Sequence, residues 1–322
     1  MTRPLCLVAV LAAAIPLVPR APACAVAPPR DGQVEVASET ALIVWDAATK
    51  TEHFVRAASF TANSADFGFL VPTPSKPDVA AADDAGFHAL LAATAPKTQV
   101  TTKEVLPELD FGCASRFTML VGGGAASAPA AGRVTVVEQK QVGEYDVAVL
   151  QADDATALKK WLEEHGYDAR PALTEWLETY VKNKWFVTAF KITSDAPTRS
   201  ASAPPPSVKA APAPKPATRT ASASAIRMSF ATERPFYPYR EPLDQRTMPA
   251  GGSPTNRLLR VFVLASGKVA GTLGETGEWP GKAVWANAVE TPVVEKLIAA
   301  DKLPATIAGQ KWYLTEFEDA SS

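Results

Sequence analysis

Side chains that can act as nucleophiles or metal ligands are scarce in this sequence, which contains three cysteines and three histidines. A cysteine becomes a strong nucleophile when a nearby base or positive charge lowers its pKa. Cys113 paired with His53 or His88 would therefore be the arrangement for a cysteine-dependent hydrolase. No feature of the sequence near Cys113 indicates a lowered pKa, so this hydrolase is kept as the alternative function.

Motifs that bind metals, nucleotides or cofactors are absent from the sequence. The histidines form no His-x-x-x-His pair, and His165 is expected at a helix end, where a positive charge suits the helix dipole. The glycine run that begins at Gly122 lacks the last glycine of a dinucleotide-binding loop, and no Gly-x-Ser-x-Gly motif occurs. We therefore predict no catalytic, cofactor-binding or metal-ligating residue.

Two aromatic segments could instead bind a ligand. Tyr237 and Tyr239 belong to the rigid segment Phe-Tyr-Pro-Tyr, and Trp279 lies in the turn-like segment Gly-Glu-Trp-Pro-Gly. Exposed aromatic rings stack on sugars or peptides, whereas buried rings contribute to a core. Tyr237, Tyr239 and Trp279 are therefore predicted as an aromatic binding surface, with core packing as the other interpretation.

Composition limits the class of protein. The chain has 322 residues, a formal charge of −2, 47% hydrophobic residues and 28 prolines. This length allows one or two domains with a substantial core. A near-neutral charge argues against general nucleic-acid binding, which needs basic residues to neutralise phosphates. Three cysteines are too few for a disulfide scaffold or a four-cysteine zinc site.

The first 25 residues have the composition of a secretory signal peptide. Arg3 supplies the positive start, a short apolar segment follows, and small residues precede Ala25. We predict cleavage between Ala25 and Val26, and therefore export to the periplasm or the medium. Cleavage before Cys24 would instead leave a lipid-anchored N-terminus, which we rank second. No later segment is long and apolar enough to predict a transmembrane helix.

The fate of Cys24 decides what Cys113 can do. If Cys24 survives processing, an exported protein could form a Cys24–Cys113 disulfide. If cleavage follows Ala25, Cys113 is a lone thiol. Both alternatives remain open at this stage.

Residues 195–225 form a segment rich in proline, alanine and serine. It has almost no large apolar residues, so it is predicted to be an extended, solvated linker. It would separate a first part of the folded chain, residues 26–194, from a second part, residues 226–322. The second part could be a separate subdomain, or the linker could interrupt one folded unit.

Elsewhere the sequence predicts an α+β fold with mixed or antiparallel sheets and a few amphipathic helices. Asp154 is expected to cap a helix that stops at Gly166, Pro171 to begin the next, and Thr291 a third. A short helix is predicted at residues 84–93. Predicted strands cover residues 40–45, 53–60, 67–71, 133–142, 145–151, 184–193, 226–233, 258–265 and 311–317.

Several segments in order carry a family resemblance. They are ALIVWDAATKTEHFVRAASF, ADFGFLVPTPSKP, VGEYDVAVLQADDATALKKWLEEHGY, WFVTAFKI and IRMSFATERPFYPYREP. Together they resemble the bacterial family called domain of unknown function 2330, and they extend to about Pro242. The resemblance implies an exported bacterial protein and one folded unit. It supplies no catalytic residue, and the low-complexity linker departs from the spacing expected there.

The sequence thus predicts an exported bacterial α+β protein that serves as a non-catalytic binding or structural factor of the envelope or medium. The alternative is a hydrolase with Cys113 as nucleophile. The sequence indicates neither a cofactor nor a nucleic-acid partner, and it leaves the ligand and any protein partner unidentified.

Overall fold

Two β-sheets packed face to face form the body of the protein. The computed structural model describes residues 25–29, 32–64, 66–96, 134–192, 219–238, 242, 244, 258–274 and 277–319. Within these residues, helices cover the outer face of each sheet, so the layers run helix, sheet, sheet, helix. The predicted α+β class is confirmed.

The smaller sheet has five antiparallel strands. In spatial order they are β1 (Ala25–Ala27), β4 (Phe67–Thr73), β8 (Phe186–Ile192), β7 (Tyr145–Ala152) and β6 (Val134–Val142).

The larger sheet has seven strands and is mixed, since β10 runs parallel to β2 and the other pairs are antiparallel. In spatial order they are β13 (Lys282–Ala288), β14 (Tyr313–Asp319), β10 (Leu259–Ala265), β2 (Val34–Asp46), β3 (Thr51–Ala62), β9 (Arg219–Ala231) and β5 (Asp78–Ala81). A small separate hairpin pairs β11 (Thr272–Leu273) with β12 (Gly277–Glu278).

Each sheet has its own helical layer. The helices are α1 (Ala85–Thr94), α2 (Ala155–Glu164), α3 (Pro171–Lys182) and α4 (Thr291–Asp301), with a 3-10 helix at Ala305–Gly309. Helices α2 and α3 pack on the five-stranded sheet, whereas α1, α4 and the 3-10 helix pack on the seven-stranded sheet. No helix among the described residues has the length and apolar character needed to cross a membrane.

Aromatic rings join the two sheets. Phe60 of β3 stacks on Phe69 of β4 with ring centroids 5.8 Å apart, and Phe69 stacks on Phe190 of β8 at 4.8 Å. All three are at most 1% exposed. Each fully buried ring of this kind contributes roughly 1.5–3 kcal/mol relative to an exposed one. The interlayer core therefore holds the sandwich together.

The helices confirm the predicted caps and stripes. The side chain of Asp154 accepts a hydrogen bond from the backbone of Thr156 at 2.6 Å, and Pro171 is the first residue of α3. The apolar stripe predicted for α3, which includes Trp176 and Tyr180, is buried throughout. Such local patterns can be predicted from the sequence because the cap and the apolar face of a helix lie within a few residues of each other.

The predicted linker ends earlier than expected. β9 begins at Arg219, so residues 219–225 belong to a strand, while residues 193–218 lie outside the described part of the chain. β9 pairs with β3 and β10 with β2, so segments from both sides of the linker complete one sheet. Strands from both sides of the predicted linker therefore belong to the same sheet.

Candidate ligand-binding groove

Several sequence-predicted site residues cannot be placed. Cys24, Cys113 and Tyr239 lie outside the described residues, so the disulfide, the lipid anchor and the Cys113 nucleophile stay predictions. No group of histidine, cysteine or acidic residues suited to a metal ion occurs among the residues that are described.

The histidines proposed as partners of Cys113 differ in environment. His53 is 4% exposed, and its Nδ1 shares a hydrogen bond of 2.8 Å with the hydroxyl of Ser229. Burial, reinforced by nearby Arg227 and opposed by Asp46, lowers the pKa of His53 to about 4, so the ring is neutral at pH 7. His88 is exposed on α1.

Two residues of the predicted aromatic surface, Tyr237 and Trp279, pack against the interlayer core. The hydroxyl of Tyr237 donates a hydrogen bond of 2.6 Å to Glu39, and its ring lies 5.9 Å from Phe54. Trp279 packs on Phe317 with centroids 5.1 Å apart. Both rings are partly buried, and these contacts give them a packing role. Ligand binding by these rings remains a prediction.

The predicted cleavage site falls within β1. Ala25 is fully buried and pairs with Leu70, and Val26 is 2% exposed. The side chain of Arg170 donates a hydrogen bond of 3.4 Å to the backbone carbonyl of Val26. Cleavage after Ala25 would therefore remove the first residue of a strand that is buried in the sheet.

A groove of about 170 Å³ opens on the outer face of the five-stranded sheet, beyond the C-terminus of α2. Its floor comes from three neighbouring strands, because alternate residues of a strand face the same side. Gln139 comes from β6, Asp146 and Ala148 from β7, and Ala189 and Lys191 from β8.

The turn that ends α2 builds one wall of the groove. Gly166 adopts a φ of +88°, which favours glycine. The backbone N–H of Gly166 donates to the carbonyl of Glu163, and that of Tyr167 donates to the carbonyl of Leu162. These two bonds form a Schellman motif, which reverses the chain and returns Tyr167 to the sheet. The predicted stop of the helix at Gly166 is confirmed.

Trp161 and His165 form the second wall as a stacked pair. Their ring centroids lie 3.8 Å apart with an interplanar angle of 20°. The Nδ1–H of His165 donates a hydrogen bond of 2.7 Å to the backbone carbonyl of Trp161, which fixes the imidazole ring in place. In the neutral ring, the other nitrogen is then a free acceptor.

The ring of Tyr167 packs on the five-stranded sheet at Gly68. A Cβ added at Gly68 would lie 2.9 Å from Cε1 of Tyr167, so the ring rests directly on that glycine. Burial raises the pKa of the Tyr167 hydroxyl, with Asp146 and Asp66 raising it further, so it stays protonated at neutral pH. Among the described residues, this hydroxyl has no hydrogen-bond partner.

The floor carries two opposite charges side by side. Asp146 and Lys191 are directly opposed on the antiparallel strands β7 and β8. Directly opposed residues have Cβ atoms about 4.5–5.5 Å apart and commonly pair when oppositely charged. Within the described part of the chain, however, neither side chain forms an ion pair or a hydrogen bond, and the same holds for the side chain of Gln139.

Sequence patterns alone do not predict this groove. They place His165 at a helix end and give Trp161, Asp146, Lys191 and Gln139 no role. The helical periodicity and the stop at Gly166 were the sequence signals from which the wall with Trp161, His165 and Tyr167 could have been predicted. The alignment of Asp146 with Lys191 depends on the pairing of strands separated by two helices, which one sequence does not reveal.

Comparison with known proteins gives one match. The model of a family described as "uncharacterized protein conserved in bacteria (DUF2330)" matches residues 18–203, which is more than half of the chain. The match includes the groove and ends before β9, so the resemblance over residues 226–242 lies beyond it. No curated protein and no solved structure matches the chain.

Proposed function

Because the chain belongs to the bacterial DUF2330 family, we propose that it is an exported, non-catalytic binding factor that takes a small polar ligand into the groove under Trp161. A concave site with apolar walls and a few convergent polar groups is the usual form of a small-molecule site.

One observation carries this proposal. Four polar side chains without a described hydrogen-bond or ion-pair partner converge on the groove, beside the stacked rings of Trp161 and His165. They are Gln139, Asp146, Tyr167 and Lys191. Such groups gain more from a ligand than groups whose hydrogen bonds are already made, since no protein contact must be broken.

Export is supported by the composition of the first 25 residues, and the buried β1 bears on where cleavage occurs. A mature chain that begins at Cys24 keeps all of β1, whereas one that begins at Val26 loses Ala25 and places a charged N-terminus in the sheet. Cell fractionation and the intact mass of the exported product test this. A product that stays in the cytoplasm with residues 1–24 attached contradicts export.

The groove is tested by NMR titration of the 15N-labelled protein. D-glucose, N-acetyl-D-glucosamine, L-phenylalanine and adenosine are added separately at millimolar concentration. We expect at least one compound to shift the signals of Trp161 and Lys191, and Trp161→Ala to abolish that shift. Val284→Ala is the matched control, because Val284 is 52% exposed on the other sheet. If no compound shifts signals in the groove, the proposed function is wrong.

A further inference from the structure

We propose that the ligand of the groove is a free amino acid with an apolar or aromatic side chain. Its ammonium group would bind Asp146, its carboxylate would bind Lys191, and its side chain would lie along the wall made by Trp161. This inference rests on the proposed function and adds the chemical class of the ligand.

The two charges of the floor define what the ligand must carry. Asp146 and Lys191 are opposed on adjacent strands, yet neither has an ion-pair partner in the described part of the chain. A free amino acid has a positive and a negative group attached to one carbon atom, so a single small ligand can supply a counter-ion to each of these two neighbouring charges. A neutral sugar or a singly charged acid would leave at least one floor charge without a counter-ion.

Next to these charges, small apolar side chains of β7 and β8 form the floor. Ala148 and Ala189 are directly opposed, one step further along the same face as Asp146 and Lys191. Their methyl groups leave space between the sheet and Trp161. Apart from Gln139, which pairs with Ala148 on the outer strand, this row offers an apolar amino acid an apolar surface next to the two charges.

The remaining walls fit an amino-acid side chain. The rings of Trp161, His165 and Tyr167 line the groove, and aromatic or aliphatic groups pack well against such surfaces. Tyr167 lies beside the charged row, because Gly68 beneath its ring pairs with Lys191. The volume of about 170 Å³ is that of roughly five or six water molecules in the liquid. This size admits a single amino acid.

Calorimetric titration of the purified protein tests the ligand class. L-phenylalanine and L-leucine are compared with N-acetyl-L-phenylalanine, which lacks the ammonium, and L-phenylalaninamide, which lacks the carboxylate. We expect both free amino acids to bind and each blocked compound to bind at least tenfold more weakly, since each leaves one floor charge unpaired.

Two variants, each of which removes one charge, test whether Asp146 and Lys191 bind the ligand. Asp146→Asn and Lys191→Gln are each expected to weaken L-phenylalanine binding at least tenfold while leaving the melting temperature near that of the wild type. Asp153→Asn and Lys182→Gln are the matched controls, because both residues are exposed and outside the groove. Their affinity for L-phenylalanine should be unchanged.

The outcomes separate this inference from the proposed function. If N-acetyl-D-glucosamine shifts the groove signals and the amino acids do not, the amino-acid inference is wrong and the groove remains a binding site. If the blocked compounds bind as well as L-phenylalanine, the charges do not select the ligand and the inference is again wrong. If nothing binds in the groove, both proposals fail.

Discussion

Arg56 and Glu39 form an ion pair inside the sandwich, with Nε and Oε1 2.8 Å apart and side-chain exposures of 2% and 0%. The Arg56 guanidinium also lies 4.5 Å from the centroid of Phe69, which belongs to the opposite sheet. Tyr237, in the segment after β9, donates a hydrogen bond to the same carboxylate. The ion pair therefore connects both sheets with a segment that follows the predicted linker.

Replacing Arg56 by Met is expected to lower the free energy of unfolding by about 3–5 kcal/mol, because it leaves the Glu39 carboxylate buried without its cation. Urea denaturation measures this change. The double variant Glu39→Leu/Arg56→Met should lose less than Arg56→Met alone, since it removes both charges. Lys50→Met is the control, because its ion pair with Glu233 is exposed and should contribute at most about 1 kcal/mol. Equal stabilities of Arg56→Met and wild type would contradict this role.

The carboxylate of Asp301 makes the stability of the protein depend on pH. Asp301 is 1% exposed, and neither of its oxygens has a hydrogen-bond partner among the described residues. Burial, reinforced by Asp83 and Asp84 and opposed by Arg227, raises its pKa from 3.8 to about 7. The folded protein therefore holds a proton that the unfolded chain releases between these two pH values.

Asp301 binds a proton in the folded state that the unfolded chain releases, so its contribution to the free energy of unfolding should fall as pH rises from about 4 to about 7 and level off above. A shift of about three pH units corresponds to roughly 4 kcal/mol at most. Asp301→Asn should remove most of this slope in urea denaturation between pH 5 and 8. The exposed Glu295→Gln on the same helix is the control and should keep it. Two other buried groups account for the slope that remains. Glu52, whose pKa is also raised, acts in the same direction, and His53, whose pKa is lowered to about 4, acts in the opposite direction below about pH 6.5.

The parts of the fold that the sequence predicted are those specified by neighbouring residues. The cap at Asp154, the stop at Gly166 and the buried stripe of α3 each lie within one short segment. β13 was missed because it is an exposed edge strand with a bulge, so its residues do not alternate between apolar and polar. β1 was missed because Ala25 and its neighbours also have the composition of a signal-peptide end.

The groove could be predicted only in part, because its residues come from segments far apart in the sequence. Trp161, His165 and Tyr167 follow from one helix and its terminating turn. Asp146 and Lys191 meet only because β7 pairs with β8, after a connection that contains both α2 and α3. A helix face has a period that can be read directly, whereas strand register depends on which faces the whole fold buries.

Gly166→Ala should weaken both the fold and the groove. An alanine at a φ of +88° is strained by roughly 1–2 kcal/mol, and the strain falls on the turn that positions Tyr167. We expect a loss of that size in urea denaturation and weaker binding of whichever ligand shifts the groove signals. Gly267→Ala is the control, since that glycine has open space around it and no positive φ. Unchanged stability of Gly166→Ala would contradict the role of the turn.

Gly68→Ala should act on the groove from the opposite side of Tyr167. The new Cβ would lie 2.7 Å from the carbonyl oxygen of Phe190 and 2.9 Å from the Tyr167 ring, so one of them must move. Overpacking of this kind costs about 1–3 kcal/mol. NMR spectra should show shifted Tyr167 signals. If those signals and the stability both match the wild type, the ring does not rest on Gly68 as described.

Removing β1 should destabilise the protein strongly, although this strand has only three residues. Ala25, Val26 and Ala27 are each at most 2% exposed and pair with β4 at the edge of the five-stranded sheet. Burial of one valine contributes roughly 1.5–3 kcal/mol, and each alanine methyl adds about 0.8 kcal/mol. The free energy of unfolding of a chain that begins at Pro28 should therefore be about 3–5 kcal/mol lower than that of a chain that begins at Cys24.

A chain that begins at Val26 provides the informative comparison with those two. It keeps the valine but loses Ala25 and gains a charged N-terminus beside Leu70, so its stability should fall between the other two. Urea denaturation of the three purified chains gives this order directly. If the chain that begins at Val26 is as stable as the one that begins at Cys24, the burial of Ala25 sets no preference for cleavage before Cys24. In that case the predicted cleavage between Ala25 and Val26 would be compatible with an intact fold.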